Sequence, residues 1–394
     1  MYISDLFIPG KEGLHSILIE RDKITASGTS VSPAVSLSHS SPISLSIPGA
    51  IAFPGLINSH DHLDFNLFPL LGNRIYNNYT AWGRDIHAKN AAEIAAVLRV
   101  PQPLRTRWGL YKNLLNGFTT VVNHGEKLET GKELISVLQD CNNLHSVGFE
   151  KTWRWKLNRP RRGSDPFVLH VGEGTDAAAH REIDRLIRWN LFKKPLIGVH
   201  GVAMDEQQAE HFKALVWCPD SNYFLLGRTA PVDRLKKKLT LLFGTDSTLT
   251  SGWNSWEQIR LARKEGKVSD EELLEMLTGK AAAVWGLQDR GEIAEGRRAD
   301  LVIAKGSSAH PPDIDVFYSL NPQDLLLVLH KGQVRLFDES LRTVLSAGGI
   351  DTGKFHRIMI HGRGKYTEGD LPTLMNEIRH YHPGAAFPPG YTAG

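Results

Sequence analysis

His60-Asp61-His62 closes an apolar run, AFPGLINS, that reads as a strand. Side chains two apart on a strand point the same way, so both imidazoles can reach one point beyond its end. Two neutral imidazole nitrogens are good zinc ligands at about 2.0–2.1 Å. Taken alone, the pattern equally describes two polar residues at a strand terminus. Three further runs end in the same manner. FVLHVGE carries His170 as a candidate third ligand, with Glu173 just beyond it and able to shuttle a proton. PLIGVHG carries His200, and LLFGTDS carries Asp246. A core could accommodate any one of these groups. Burying all of them without a shared partner would be costly. The set reads as a site for one divalent metal, zinc first and iron second, because histidine and carboxylate suit both.

Two other groups bear on a substrate. His124, after TTVVN, either lines the same pocket or caps its strand. Trp153, Arg154, Trp155 and Lys156 form an aromatic and basic stretch. Such a stretch could grip a planar or anionic molecule by stacking and charge, or could simply be a surface loop with packed tryptophans.

These residues need elements to position them. From residue 51, strand-like apolar runs at 52–58, 119–123, 144–149, 167–171, 196–199, 214–218 and 241–244 alternate with amphipathic stretches. Helices are expected over 90–98, 131–139, 177–189, 205–212 and 270–277, the last with Ser269 as its N-cap. Strand–helix alternation means parallel strands joined by crossover helices, and apolar runs without a period of two mean strands buried on both faces. In barrels of this class, active sites collect at the C-terminal ends of the strands, where all the histidines above fall.

Residues 1–50 and 288–337 read instead as short strands and turns. Residues 338–394, rich in Gly, His and Pro, read as an irregular extension. The basic runs 159–162 and 236–238 read as solvated faces.

Composition narrows the function classes. A chain of 394 residues, 41 % hydrophobic and 23 % charged, has material for one large barrel and a smaller module. A net charge of +3 gives no push toward nucleic acid or a membrane surface. With only two cysteines there is no disulfide framework, and a reducing cytoplasm is the expected compartment. The start, MYISDLFIPG, lacks the charged and apolar regions of a signal peptide.

The pieces PGLINSHDH, GFTTVVNHG, LHVGE, GVHG, VWCPDSN and FGTDS occur in that order, followed by TGKAAAVWGLQDRGEIAEGRRADLVIAKG. Over about residues 45–335 the chain resembles the amidohydrolase superfamily. Within it, the likeness is to the branch holding guanine, cytosine and adenosine-type deaminases and the triazine hydrolases. The resemblance implies an α/β fold, a (β/α)8 TIM-type barrel over 51–287 with one abbreviated unit around 151–157. A small β-sandwich would come from 1–50 and 288–337, with 338–394 as a C-terminal extension.

It also implies roles. His60, His62, His170 and Asp246 would hold one divalent metal, Glu173 would shuttle a proton, and His200 would hydrogen-bond the attacking hydroxide or the substrate atom under attack. Ser221 and Asn222 would shape the end of the seventh strand. Asn222, with His124, Trp153 and Arg154, is a candidate substrate contact. The expected reaction is hydrolytic deamination of a small nitrogen heterocycle or amidine, by a protein that forms a homodimer. Residues 65–87 match no substrate loop of the family.

Two alternatives stand beside this reading. One is a binuclear amide or cyclic-amide hydrolase with a carboxylated lysine, Lys151 or Lys156. The other is a non-catalytic binding protein on the same scaffold.

Overall fold

The computed structural model describes residues 1–32, 43–160, 166–306 and 314–391. Parts of four stretches weighed above, 33–42, 161–162, 307–313 and 392–394, lie outside the described residues. Parallel strands run through the middle of the chain in two sheets. One sheet joins Leu56–Asp61, Phe118–Asn123 and Ser136–Leu138. The other joins Asn142–Ser146, Phe167–Val171, Leu196–His200, Ala214–Trp217 and Thr240–Phe243, in chain order. Helices such as Gln102–Leu115, Ala177–Trp189 and Ser255–Lys264 alternate with these strands. This is a TIM-barrel-like α/β fold. The strands at 118–123, 167–171 and 196–200 are buried at every position, as strands covered on both faces must be.

The helix expected over 131–139 is absent; Gly131 turns the chain with φ of 65°, and a short strand, Ser136–Leu138, follows. Only residues 139–141 separate it from the strand Asn142–Ser146. A parallel crossover needs a dozen or more residues. The two segments therefore run on from each other, pairing first with Phe118–Asn123 and then with Phe167–Val171. No helix separates these two strands. Around 151–157 the connecting helix is short, Trp153–Asn158.

Both chain ends contribute to one nine-stranded sheet. Its centre sets Ser44–Pro54 between Tyr2–Phe7, in parallel, and Leu301–Ala304, antiparallel. The sheet has its own apolar core, with Ile3, Ile17, Ala52, Leu301 and Leu327 fully buried. The irregular reading of the last residues is overturned. Phe355–Ile360 and Arg363–Glu368 form a hairpin on the outer edge, joined by His361 and Gly362, both at positive φ. Two successive left-handed residues match the right-handed twist of the flanking strands. The helix Leu371–Tyr381 then buries Leu371, Leu374, Met375 and Ile378, one face of a 3.6-residue period, and packs on Gln102–Leu115.

Helix Asp270–Leu277 begins as expected. Ser269 Oγ accepts from Glu272 N, and the Glu272 carboxylate accepts from Ser269 N. The lysines at 236 and 238 are exposed and pair with Glu272 and Glu210. Among the described residues no helix is long and apolar enough to cross a membrane.

Candidate active site

The strand Leu56–Asp61 delivers His60 and His62 to one side and Asp61 to the other. Asp61 is fully buried and faces the helix Gln102–Leu115. It accepts from Lys112 Nζ at 3.2 Å, Asn113 Nδ2 at 2.8 Å, Asn58 Nδ2 at 3.1 Å and Asn66 Nδ2 at 2.7 Å. Lys112 Nζ also donates to Thr245 Oγ1 at 2.9 Å. The amides of Thr245 and Asp246 donate to His60 O at 3.1 and 3.0 Å. The network thus fixes His60 and Asp246 relative to each other.

His200 and Asp246 sit at strand ends with φ of 72° and 55°. Left-handed backbone at two non-glycine residues is strained, and it aims both side chains inward. Gly172, at φ 59°, makes the equivalent turn that brings Glu173 into the same space.

The donor atoms converge. One ring nitrogen from each of His60, His62 and His170 lies within 4.8 Å of the others. His62 Nε2 and His170 Nε2 are 3.3 Å apart. Asp246 Oδ1 is 3.6 Å from His60 Nε2 and 3.7 Å from His62 Nε2. Two nitrogens each about 2.05 Å from one ion at a tetrahedral angle would be about 3.3 Å apart. His170 Nδ1 must donate to His145 O at 2.8 Å, since a carbonyl only accepts, so its Nε2 lone pair faces the cluster. Neither ring nitrogen of buried His60 has a hydrogen-bond partner. A shared cation would satisfy these orphaned lone pairs, so the residues present fit a divalent metal.

Protonation states agree. Burial, then the charge of His60, holds His62 down to about 3. Burial likewise holds His170 well below the usual imidazole range. Neutral imidazole is the ligating form. For Asp246, burial opposes ionisation, but the neighbouring imidazoles of His60, 3.6 Å away, His200 and His62 hold it well below the carboxylate range. Its Oδ2 accepts from Ser221 Oγ at 2.7 Å and Thr250 Oγ1 at 2.9 Å, which leaves Oδ1 for the cluster. Glu173 goes the other way: burial, then the charges of Asp246 and Glu182, push it well above the carboxylate range. Its Oε1 lies 3.7 Å from His200 Nε2. His200 Nδ1 is 2.8 Å from Asn222 Oδ1, while Asn222 Nδ2 donates to Thr229 Oγ1 at 3.2 Å. An amide oxygen only accepts, so Nδ1 carries the proton and Nε2 presents a lone pair to the site. All of this opens into a cavity of about 660 Å³.

The sequence model of the amidohydrolase family matches residues 166–335. Residues 166–335 belong to that family. A 5-methylthioadenosine/S-adenosylhomocysteine deaminase from Caldicellulosiruptor saccharolyticus is 23 % identical over 394 residues, 83 % of this chain and 90 % of that relative. A 5'-deoxyadenosine deaminase from Methanopyrus kandleri is 24 % identical over 347 residues, covering 72 % and 80 %. An adenosine deaminase from Xanthomonas campestris, solved with bound zinc, aligns over 97 % of each chain with a TM-score of 0.71 at 18 % identity. The last likeness is one of fold.

The structure brings His60, His62, His170, Glu173, His200 and Asp246 together. Other expected residues stand elsewhere. Asn222 is buried behind His200 and holds it, without reaching the cavity wall. His124 packs against the cluster, its ring 4.5 Å from that of His170, and does not line the cavity. Trp153 is buried, and Arg154 lies over Trp153 and Trp189. Neither lines the cavity: their helix packs against the strand Asn142–Ser146 with Trp153 and Leu157 buried, while Trp155 is exposed. Lys151 is exposed and Lys156 pairs with Glu150 at 2.9 Å, so the two lysines of the binuclear alternative also miss the cavity.

Sequence reasoning missed His145, Phe149 and the helix Tyr79–Lys89, which supplies Tyr79, Trp82 and Ile86 to the cavity wall. The helix had a signal: Asn78 is a good N-cap, and its side chain accepts from Ala81 N.

Proposed function

We propose that this chain is a metal-dependent hydrolase that deaminates a small nitrogen heterocycle or amidine. The fit of His60, His62, His170 and Asp246 to one ion, with Glu173 beside it, carries the reading. The named deaminase activities of its relatives support it. Those four residues would hold zinc, and the metal when bound supplies a water that is acidic near neutral pH.

The chain's residues do the rest. His200 Nε2 accepts a hydrogen bond from the attacking water. Asp246, ionised and anchored by Ser221 and Thr250, orients the cluster. Asp246 takes the proton that the attacking water loses, and Glu173, whose carboxyl burial biases toward its protonated form, gives a proton to the leaving nitrogen, so that C–NH2 and water become C=O and ammonia. The aromatic wall around Phe65, Trp82 and Phe149 suits a planar ring and excludes water from it.

The same reading extends to architecture. The two parallel sheets close into one barrel wall where Thr245 and Asp246 bond to His60, and the nine-stranded sheet is the partner domain drawn from both chain ends.

Metal content and ammonia release test this together. About one zinc per chain, with ammonia from a ring amine or amidine, is expected. Two metals per chain, with cleavage of a cyclic amide and no ammonia, would move the assignment to the binuclear alternative.

A further inference from the structure

The helix Tyr79–Lys89 covers the cavity with one face, and that face changes character along its length. Its first turns bring Tyr79, Trp82 and Gly83; further along come Arg84, Ile86 and His87. The N-terminal end is pinned to the metal-ligand end of the cavity. Tyr79 N donates to Glu173 O at 3.0 Å, and Thr175 N donates to Asn77 O at 2.7 Å. At about 1.5 Å per residue, Arg84 lies roughly 7–8 Å and His87 roughly 12 Å along the axis from that anchor.

Arg84 is exposed, lines the cavity, and has no hydrogen bond or ion pair with any described residue. Its neighbour Asp85 is already taken by Arg74 at 3.1 Å, Lys89 at 2.8 Å and Tyr76 Oη at 2.8 Å. Among the described residues the only acids on the cavity wall are Glu173 and Asp246, both at the ligand end. A guanidinium left free at the rim of an otherwise aromatic wall, one helical turn from a histidine, is a fork for a carboxylate or phosphate.

We infer that Arg84, with His87, forms an anion subsite at the cavity mouth, so that the substrate is a planar ring carrying an anionic group on the side remote from the reacting carbon. This rests on the deaminase reading above for the ring, while the anion contact stands on the helix alone. Arg84 is a specificity residue: it holds the substrate's far end and does not touch the reacting atoms.

The test is equilibrium binding of reaction-product analogues, which do not turn over, to the zinc-loaded protein. Quenching of tryptophan fluorescence, with Trp82 on the wall, reports binding of inosine, its 5'-carboxylic acid and its 5'-monophosphate. The expected result is that one charged compound binds about tenfold tighter than inosine at low salt, as for an exposed charge-assisted contact. The carboxylate and phosphate arms tell which anion the fork takes. Arg84→Ala should abolish the preference, Arg84→Lys should keep part of it, and added salt should weaken it. Wild-type protein that holds inosine as tightly as both anions, or binds none of the three, overturns the inference. So does a preference that survives in Arg84→Ala. If the preference is present but no amine substrate yields ammonia, the subsite stands and the deaminase reading falls.

Discussion

Lys112→Met should destabilise the protein by removing one half of a buried ion pair. Lys112 and Asp61 are both fully buried, with Nζ and Oδ2 3.2 Å apart. Breaking such a pair from one side costs about 3–5 kcal/mol, because the remaining charge is left without a counter-ion. Asp61 would still accept from Asn58, Asn66, Asn113 and Thr245, which argues for the lower end, about 3 kcal/mol. At roughly 2.1 cal/mol/K per residue, a chain of this length has an unfolding entropy near 0.8 kcal/mol/K, so Tm should fall by about 4 °C. Thermal unfolding followed by circular dichroism reads the shift. The double variant Lys112→Met/Asp61→Asn removes both charges and should regain at least half of it, since partners in contact do not add. A single variant within about 1 °C of wild type would refute the reasoning, as would a double variant that loses the sum of the two singles.

Three further outcomes are expected. Glu173→Gln should retain the metal, by elemental analysis, while turnover falls on the order of 10²–10⁴-fold; undiminished ammonia release would remove Glu173 as the proton donor. Asn222→Ala should free the His200 ring and lower activity about 10–100-fold with metal retained, checked by kcat against metal content. Glu182 gives a pH test. Burial raises it from 4.5 to about 7, partly offset by the hydrogen bond from Tyr79, and its Oε1 has no partner. Its folded value lies above its unfolded one, so its contribution to stability is fully present below pH 4.5 and is lost as pH rises through 7. Glu182→Gln should therefore stabilise the protein at pH 8 by on the order of 3 kcal/mol relative to wild type, and much less at pH 4.5. Equal denaturation midpoints for the two proteins at pH 8 would count against a buried, unpaired carboxyl.

Local chemistry made much of this protein legible in advance. His60-Asp61-His62, His170, Glu173, His200 and Asp246 each end an apolar run, and strand geometry alone sends such residues to one rim. The Ser269 cap and the periodicity of 177–189 likewise set their helices without outside help. The signals that went unread were also local. One was the His361-Gly362 turn between two short strands; the other was the Asn78 cap of the helix that walls the cavity.

Other features have no local cause. Residues 136–138 are a strand because a parallel neighbour, Phe118–Asn123, offers them a ladder, though their own sequence suits a helix as well. Trp153 and Arg154 carry the chemistry of a binding site, yet their helix lies outside the wall, so one is core and the other surface. Lys112 lies 51 positions from Asp61 and Thr245 another 133 beyond, and no pattern in the chain announces that they meet. A residue's chemistry and local periodicity are written in its neighbours along the chain. Which side chains complete a buried charge, or face a cavity across the fold, depends on contacts between segments far apart in sequence, and those exist only once the sheets have formed.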